Sequence, residues 1–560
     1  MCGIWALLNS SYISKDQLAS YKELYESIKS RGPDKTNILH LNSNAYVFHR
    51  LAIHDLSPLG DQPFIFYANG SMYILVCNGE IYNYKDLVKK HDFEFNLKSN
   101  SDCEVIFHLF LKYKNINKVA SELKGEFAFV LTEISNKCVI TWVCRDPFGV
   151  RPLFYSYKSN DKIISYPNKI VNKIFISSLL SGVVSLDVNK TEVFPPGKIL
   201  TIIKSTSDLE LSFSDYYKYE YQIGKNISGP NLYWEITSRL INAVKTRLDS
   251  DRPIGALLSG GLDSSLVCAI ASKILGVSHL KTFSIGMKKG TDLEYAQLVA
   301  KHLGCDHTEI FFTPEEGLKA IDYVLDTTET WDITTVRASV GQYLLGKYIS
   351  SNTDIKVILN GDGADEVEMG YLYFYLAPDA LQAQKETKKL IKEIHRYDGL
   401  RVDRCISSHG LEARLPFLDV DFVDYYMEID PELKIPTTTR MEKQLIRDAF
   451  STLYPDLLPH SVMYRKKEAF SDGVSSKEKS WFEIISEWID TKVTDEEYKN
   501  RDVEKYGNCK SKESYYYRKR FNDKFNKTLN PVWDVIPHYW LPNWIETNGE
   551  PSARVLTVYK

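Results

Sequence analysis

The sequence predicts two structural halves in series: an α+β half of sheets covered by helices, then an α/β half built on a doubly wound parallel sheet. Two observations carry this. A chain of 560 residues exceeds what one hydrophobic core organises. Its patterning also changes partway along: short β-branched and aromatic runs between Gly, Pro and Asn turns fill residues 1 to 205, whereas strand-length apolar runs alternate with long helical periods after 230.

In the first half the strand candidates include YVFHRLAIH (46–54), MYILVCNGEIY (72–82), FAFVLTEI (127–134) and VITWVCRD (139–146). Leu18, Tyr21, Leu24, Tyr25 and Ile28 recur at spacings of three and four and predict a helix over Lys15 to Lys29; a second is expected over Cys103 to Tyr113. Residues 206–229 are polar, carry Gly and Pro, and read as a connector, so the expected domains are 2–205 and 230–560. In the second half, strands at 254–258, 281–287 and 356–361 alternate with helices at 231–249, 264–275, 294–303 and 338–350. Such a sheet binds ligands at the C-terminal ends of its strands.

Composition narrows the function. Lys plus Arg number 69 against 73 Asp plus Glu, a net charge of -4, so no positive field would hold nucleic acid. Nine cysteines, an odd count with no C-x-x-C pair, argue against zinc and against a disulfide framework. The start MCGIWALL lacks a basic segment and soon turns polar, so a cytoplasmic protein without membrane attachment is expected.

Removing Met1 would leave Cys2 with a thiol and a free α-amine on one residue, and that amine, with a reference pKa of about 7.7 to 8.0, is a suitable base for a thiol of about 8.5. Downstream stand RGPD (31–34), FHRLAI (48–53), NGEIYN (78–83), SDCEVI (101–106) and RDPFGVRPL (145–153). RGPD and NGE taken singly are turns. In this order, the set resembles the class II glutamine amidotransferase domain, an N-terminal-nucleophile hydrolase with an αββα sandwich. The resemblance implies that Arg50 binds the α-carboxylate of glutamine, that Glu80 and Asp102 bind its ammonium group, and that Leu51 and Ile53 add backbone contacts. It also implies an oxyanion hole from the Asn78 side chain and the Gly79 N–H, with Cys2 as nucleophile.

In the second half, IGALL-SGGLDSS-LVCAIASKIL reads as strand, glycine loop and helix, a setting for phosphate, though without the GK[ST] of a Walker A loop. It resembles the PP-loop of enzymes that cleave ATP between the α- and β-phosphates, with Ser259, Gly260, Gly261, Asp263 and Ser264 matching. NGDGADE (360–366) follows another strand candidate; taken alone it is an acidic turn, beside phosphates a source of Mg²⁺ ligands or an acid-base group. The order SGGLDSS, NGDGADE, RKKEAFSDG (465–473) resembles asparagine synthetases, and ETWDITTVRAS (329–339), HGLEARLPFLD (409–419), HYWLPNW (538–544) and PSARVLTVY (551–559) extend the likeness, toward animal and plant members, to the end of the chain.

That resemblance implies ATP and aspartate as further substrates and Mg²⁺ at Asp263 and Asp365. Leu257 and Ile285 would flank adenine, the Asn360-Gly361 backbone would read its ring or ribose, and Thr334, Thr335 and Arg337 would hold aspartate. Asp362 and Lys467 would serve the chemistry at the adenylate, and a homodimer is the family's habit. Members usually read SGEGSDE, so Asn360 and Asp362 depart from the pattern, as do Ser178 for Glu and Lys466 for Pro. Rival readings are a β-lactam-forming relative, a binding protein that has lost catalysis, and a plain glutaminase.

Overall fold

The structure, a computed structural model, describes residues 1–94, 96–158, 169–185, 187–205, 207–224, 230–288, 290–468, 479–506, 509–525 and 541–545. Residues 469–473 of RKKEAFSDG, 538–540 of HYWLPNW and the motif PSARVLTVY lie outside the described residues.

Strands in chain order are β1 (Gly3–Asn9), β2 (Lys35–Leu41), β3 (Asn44–Arg50), β4 (Phe64–Ala68), β5 (Ser71–Ile81), β6 (Gly125–Ile134), β7 (Val139–Arg145), β8 (Phe154–Lys158), β9 (Lys169–Val171), β10 (Lys173–Ser177), β11 (Lys190–Val193), β12 (Lys198–Lys204) and β13 (Leu209–Asp215). They form two sheets, ordered β11-β8-β10-β1-β3-β2 and β4-β5-β6-β7-β12-β13-β9. Two-residue periodicity places both faces. On β1, Ile4, Ala6 and Leu8 pack toward Ile74 and Val76 of β5, while Trp5 and Leu7 pack outward beneath Leu18, Tyr21 and Tyr25. On β5, Tyr73, Leu75 and Cys77 turn the other way, under the helix Val105–Tyr113. Each sheet is thus buried on both faces, which explains why these strands read as nearly continuous apolar runs.

The helix expected over Lys15 to Lys29 is instead two short helices, Lys15–Ser20 and Lys22–Glu26, and a 3₁₀ turn, Lys29–Arg31. Tyr21 interrupts it: its hydroxyl donates to Asp187 at 2.5 Å and its ring meets Phe175 edge-on at 5.0 Å, which ties this residue to the sheet. The stretch read as a connector contains β13, which pairs with β12 along its length.

The second half holds β14 (Ile254–Leu257), β15 (Lys281–Gly286), β16 (Asp306–Phe311), β17 (Val357–Leu359) and β18 (Glu412–Arg414), all parallel, in the order β16-β15-β14-β17-β18. The chain winds outward from β14 on one side and then resumes at β17 on the other. A crevice therefore opens where β14 and β17 end, the position at which such sheets bind ligands. The helix expected at 338–350 spans Ile333–Asn352, because Asp332 caps it by accepting from Thr335 N at 2.8 Å. No helix among the described residues is long and apolar enough to cross a membrane.

Candidate active site

Because Gly3 on β1 faces His49 on β3, the residue before β1 lies beside the residue after β3. Leu51 N accordingly donates to Cys2 Sγ at 3.4 Å. Cys2, Arg50, Leu51, Ile53, Gly79, Glu80 and Asp102 line one cavity of about 30 Å³. Asn78 lies beside it on β5, fully buried, with neither side-chain polar atom partnered. Gly79 has φ +150°, and any side chain there would overlap the Glu126 carbonyl, so the close β5–β6 approach at this point requires glycine.

Electrostatics in this cavity are set by burial. Burial pushes the Cys2 thiol up to about 11 in the chain that carries Met1. Met1 is itself buried, its amine near Leu411 O at 3.4 Å and Glu412 at 3.8 Å and lowered to about 6 by burial. Arg50 is held by Asp61 at 2.6 Å and by Ser57 O at 2.9 Å. Asp102 accepts from Ile81 N at 2.6 Å, and burial followed by the nearby Glu80 carboxylate raises it to about 7. Glu80 Oε2 meets His54 Nε2 at 3.0 Å; burial opposes the charge on His54, but Glu80 outweighs it and lifts the imidazole to about 10.

A larger cavity, about 540 Å³, occupies the crevice between β14 and β17. Leu257, Ser259, Gly261, Asp263, Ser264, Ile285, Thr334, Arg337, Asn360, Gly361, Asp362, Asp365 and Lys467 line it; Gly260 and Thr335 do not. Gly260 makes the turn behind the loop at φ +75°, and Thr335 is buried in the first turn of its helix. A Cβ on Gly361 would come within 2.7 Å of Ser264 N, which shows how tightly the two loops pack.

Three expected roles meet competing partners. Lys443, at 2.5 Å from Asp263 and 2.7 Å from Asp365, stands between the two residues expected to hold metal. Burial opposes ionisation of Asp365, yet Lys443 and Lys467 outweigh it and hold its carboxyl below the usual range. No group of three or more His, Cys, Asp or Glu that could hold a metal occurs among the described residues. The fork of Arg337 is taken by Glu513, at 2.9 and 2.6 Å, whereas the Thr334 hydroxyl is buried without a partner. Asp362 is bonded by Asn360 Nδ2 at 3.2 Å and paired with Arg401 at 3.2 Å.

His54, Arg401, Lys443 and Arg414 were not anticipated from the sequence. Lys443 approaches Asp263 across 180 positions of chain, and no local spacing signals that.

Between the cavities lies a seam that both halves build. Arg31, fully buried, donates to Asp403 at 2.7 and 3.0 Å and to Cys2 O at 3.0 Å. Arg151 and Arg247 both reach Glu126, at 3.0 and 3.1 Å. An apolar cluster of Leu51, Ile53 and Val357, with Cys2 and Ile254 against it, packs the first cavity onto the N-terminal ends of β14 and β17. Ser178 holds the start of β1, accepting from Ile4 N at 3.0 Å.

Comparison with known proteins fits this division. A glutamine amidotransferase domain model matches residues 1–174, and an asparagine synthase model matches 235–390 and 380–546. The chain is 39% identical over 589 residues to the glutamine-hydrolyzing asparagine synthetase of Gallus gallus, covering 100% of this chain and 99% of that one. It is 39% identical over 588 residues to the Homo sapiens protein of the same description, with the same coverage. A probable glutamine-hydrolyzing asparagine synthetase of Acanthamoeba polyphaga mimivirus is 38% identical over 580 residues, covering 100% of both.

Proposed function

The chain belongs to the glutamine-hydrolysing asparagine synthetase family, and from that premise we propose that it amidates L-aspartate to L-asparagine with glutamine as nitrogen donor, consuming ATP and releasing glutamate, AMP and diphosphate. We read the stacked antiparallel sheets as an N-terminal-nucleophile αββα sandwich and the loop Ser259 to Ser264 as a PP-loop.

Once Met1 is removed, the Cys2 thiol attacks the glutamine amide carbon, and its proton passes through the freed α-amine to the departing ammonia. Arg50 receives the α-carboxylate of glutamine, with Leu51 and Ile53 adding backbone contacts, and Glu80 with Asp102 receives its ammonium. The unpartnered Asn78 amide and the Gly79 N–H donate to the oxyanion. Water then hydrolyses the thioester to glutamate.

In the larger cavity the β-carboxylate of aspartate attacks the α-phosphorus of ATP and expels diphosphate, giving β-aspartyl-AMP. Ammonia displaces AMP from it, and Asp362 accepts the surplus proton. Thr334 and Arg337 orient aspartate, Leu257 and Ile285 flank adenine, and Lys467 with Lys443 balances phosphate charge. Asp263 and Asp365, which already converge on one cation, would hold Mg²⁺ brought in with ATP. It would neutralise phosphate charge.

The observation that carries the proposal is that one chain encloses both cavities and packs buried groups of both halves between them, since ammonia freed at the first must reach the second as the neutral nucleophile. The test is product analysis with aspartate, ATP, Mg²⁺ and either glutamine or ammonium. Wild type should form asparagine and AMP from both nitrogen sources, and Cys2→Ala from ammonium alone. Glutamate release without asparagine from either source would reopen the acceptor assignment.

A further inference from the structure

Glu80 belongs to the first cavity, yet one of its partners comes from the other half. Arg414 Nη2 lies 3.0 Å from Glu80 Oε2, the same oxygen that His54 approaches. Arg414 is fully buried, and its remaining contacts fix it to the second half: Glu412 at 2.8 Å, Arg247 O at 2.9 Å and Asp249 O at 2.5 Å. Its guanidinium also stands 5.7 Å from the centre of the Tyr82 ring, which Arg247 covers at 4.3 Å. His54 alone could balance Glu80 from within the first half, so charge neutrality does not by itself demand the link across the seam.

The backbone of the same residue reaches the second cavity. Arg414 ends β18, which pairs with β17, and its carbonyl accepts from Asn360 N at 3.1 Å. Asn360 in turn holds Asp362 twice, through Nδ2 at 3.2 Å and by accepting from Asp362 N at 3.1 Å. From the glutamine pocket to Asp362 there are thus three links, Glu80 to Arg414, Arg414 to Asn360 and Asn360 to Asp362, all in buried or nearly buried groups with little freedom to absorb a shift.

We propose that Arg414 is a positioning residue that couples the two cavities, so that filling the ATP and aspartate site tightens binding of glutamine and filling the glutamine site orders the Asn360 to Asp362 loop. The inference rests on the function proposed above and assigns its regulation. The differential contact is the Glu80 carboxylate. Without glutamine it is shared by His54 and Arg414; with glutamine a third cation, the substrate ammonium, takes part of it and Arg414 must adjust. A residue held by its side chain in one site and by its carbonyl in the other transmits that adjustment, and linkage makes the effect reciprocal.

The test follows glutamate release over a range of glutamine concentrations, with and without saturating ATP, Mg²⁺ and aspartate, for wild type, Arg414→Lys and Asn360→Ala. Ammonium-dependent asparagine formation is measured alongside to show that the second half is folded. For wild type the glutamine KM should fall about fivefold or more when the second cavity is filled, the low end of ordinary coupling. In Arg414→Lys, whose single ammonium cannot reproduce the guanidinium's simultaneous contacts, that response should shrink below about twofold. Asn360→Ala should shrink it as well; it cuts the path at the other end, far from Glu80, and keeps the test alive where Arg414→Lys does not fold. A merely structural role would change KM or kcat equally with and without ATP and aspartate. An unchanged response in the folded variants, or no response in wild type while both cavities turn over, overturns the coupling. No glutamate release by wild type overturns the function proposal itself, and the coupling with it.

Discussion

Asp102 illustrates how a single buried carboxyl ties pH to both stability and substrate. Burial and the adjacent Glu80 raise it to about 7 from an unfolded value of about 3.9. The folded chain keeps this proton after the unfolded chain has released it. The stabilising contribution is therefore fully present below about pH 3.9 and is lost as pH rises through about 7. The consequence for substrate has the opposite sense, because only the ionised carboxylate can receive an ammonium group. Glutamine KM should fall as pH rises through about 7, and Asp102→Asn should flatten that dependence; a wild-type KM flat across this range would contradict the role. Asp102, Cys2, Arg50 and the SGGLDSS loop could be singled out from the sequence because each belongs to a short motif in a recognisable order, and the structure lines the two cavities with them. Lys443, Arg401 and Arg414 could not, because their partners are remote in sequence; Glu80, for instance, meets Arg414 only once the two halves are docked.

Elements of ordinary length and apolar pattern matched the sequence reading, notably β5, β6, β7 and β15. Several of those it did not name are short or polar. β18 has three residues, and β16 reads DHTEIF, with only its last two residues apolar. β13 was hidden in a polar stretch because it is a hairpin partner of β12 with one solvent-facing side. The helix Lys512–Phe525 has a comparable dual character. Its Phe521 and Phe525 join the core under the first sheet, while Glu513 grips Arg337 in the second half at 2.6 Å. Glu513→Gln removes the carboxylate charge that both arms of the Arg337 fork engage, so a loss of about 2 kcal/mol is expected, read as a lower urea midpoint. An unchanged midpoint would mean that solvent already reaches this pair.

At the scale of the whole molecule, the interface between halves is built largely from buried arginines, Arg31, Arg151, Arg247 and Arg414, each engaged with partners in the opposite half or spanning to them. Buried ion pairs contribute little net stability but penalise misalignment heavily, since each broken pair leaves a desolvated charge. This favours one fixed docking of the halves over the tightest one, which suits a chain whose two cavities must keep a fixed relation. The change of patterning near residue 230 announced two halves; nothing local announced how they meet. The most direct test of the central claim supplies glutamine labelled with ¹⁵N in its amide, together with aspartate, ATP and Mg²⁺, and follows the label. Asparagine should carry ¹⁵N in its side-chain amide. Label recovered only as free ammonium, with no labelled asparagine, would contradict it.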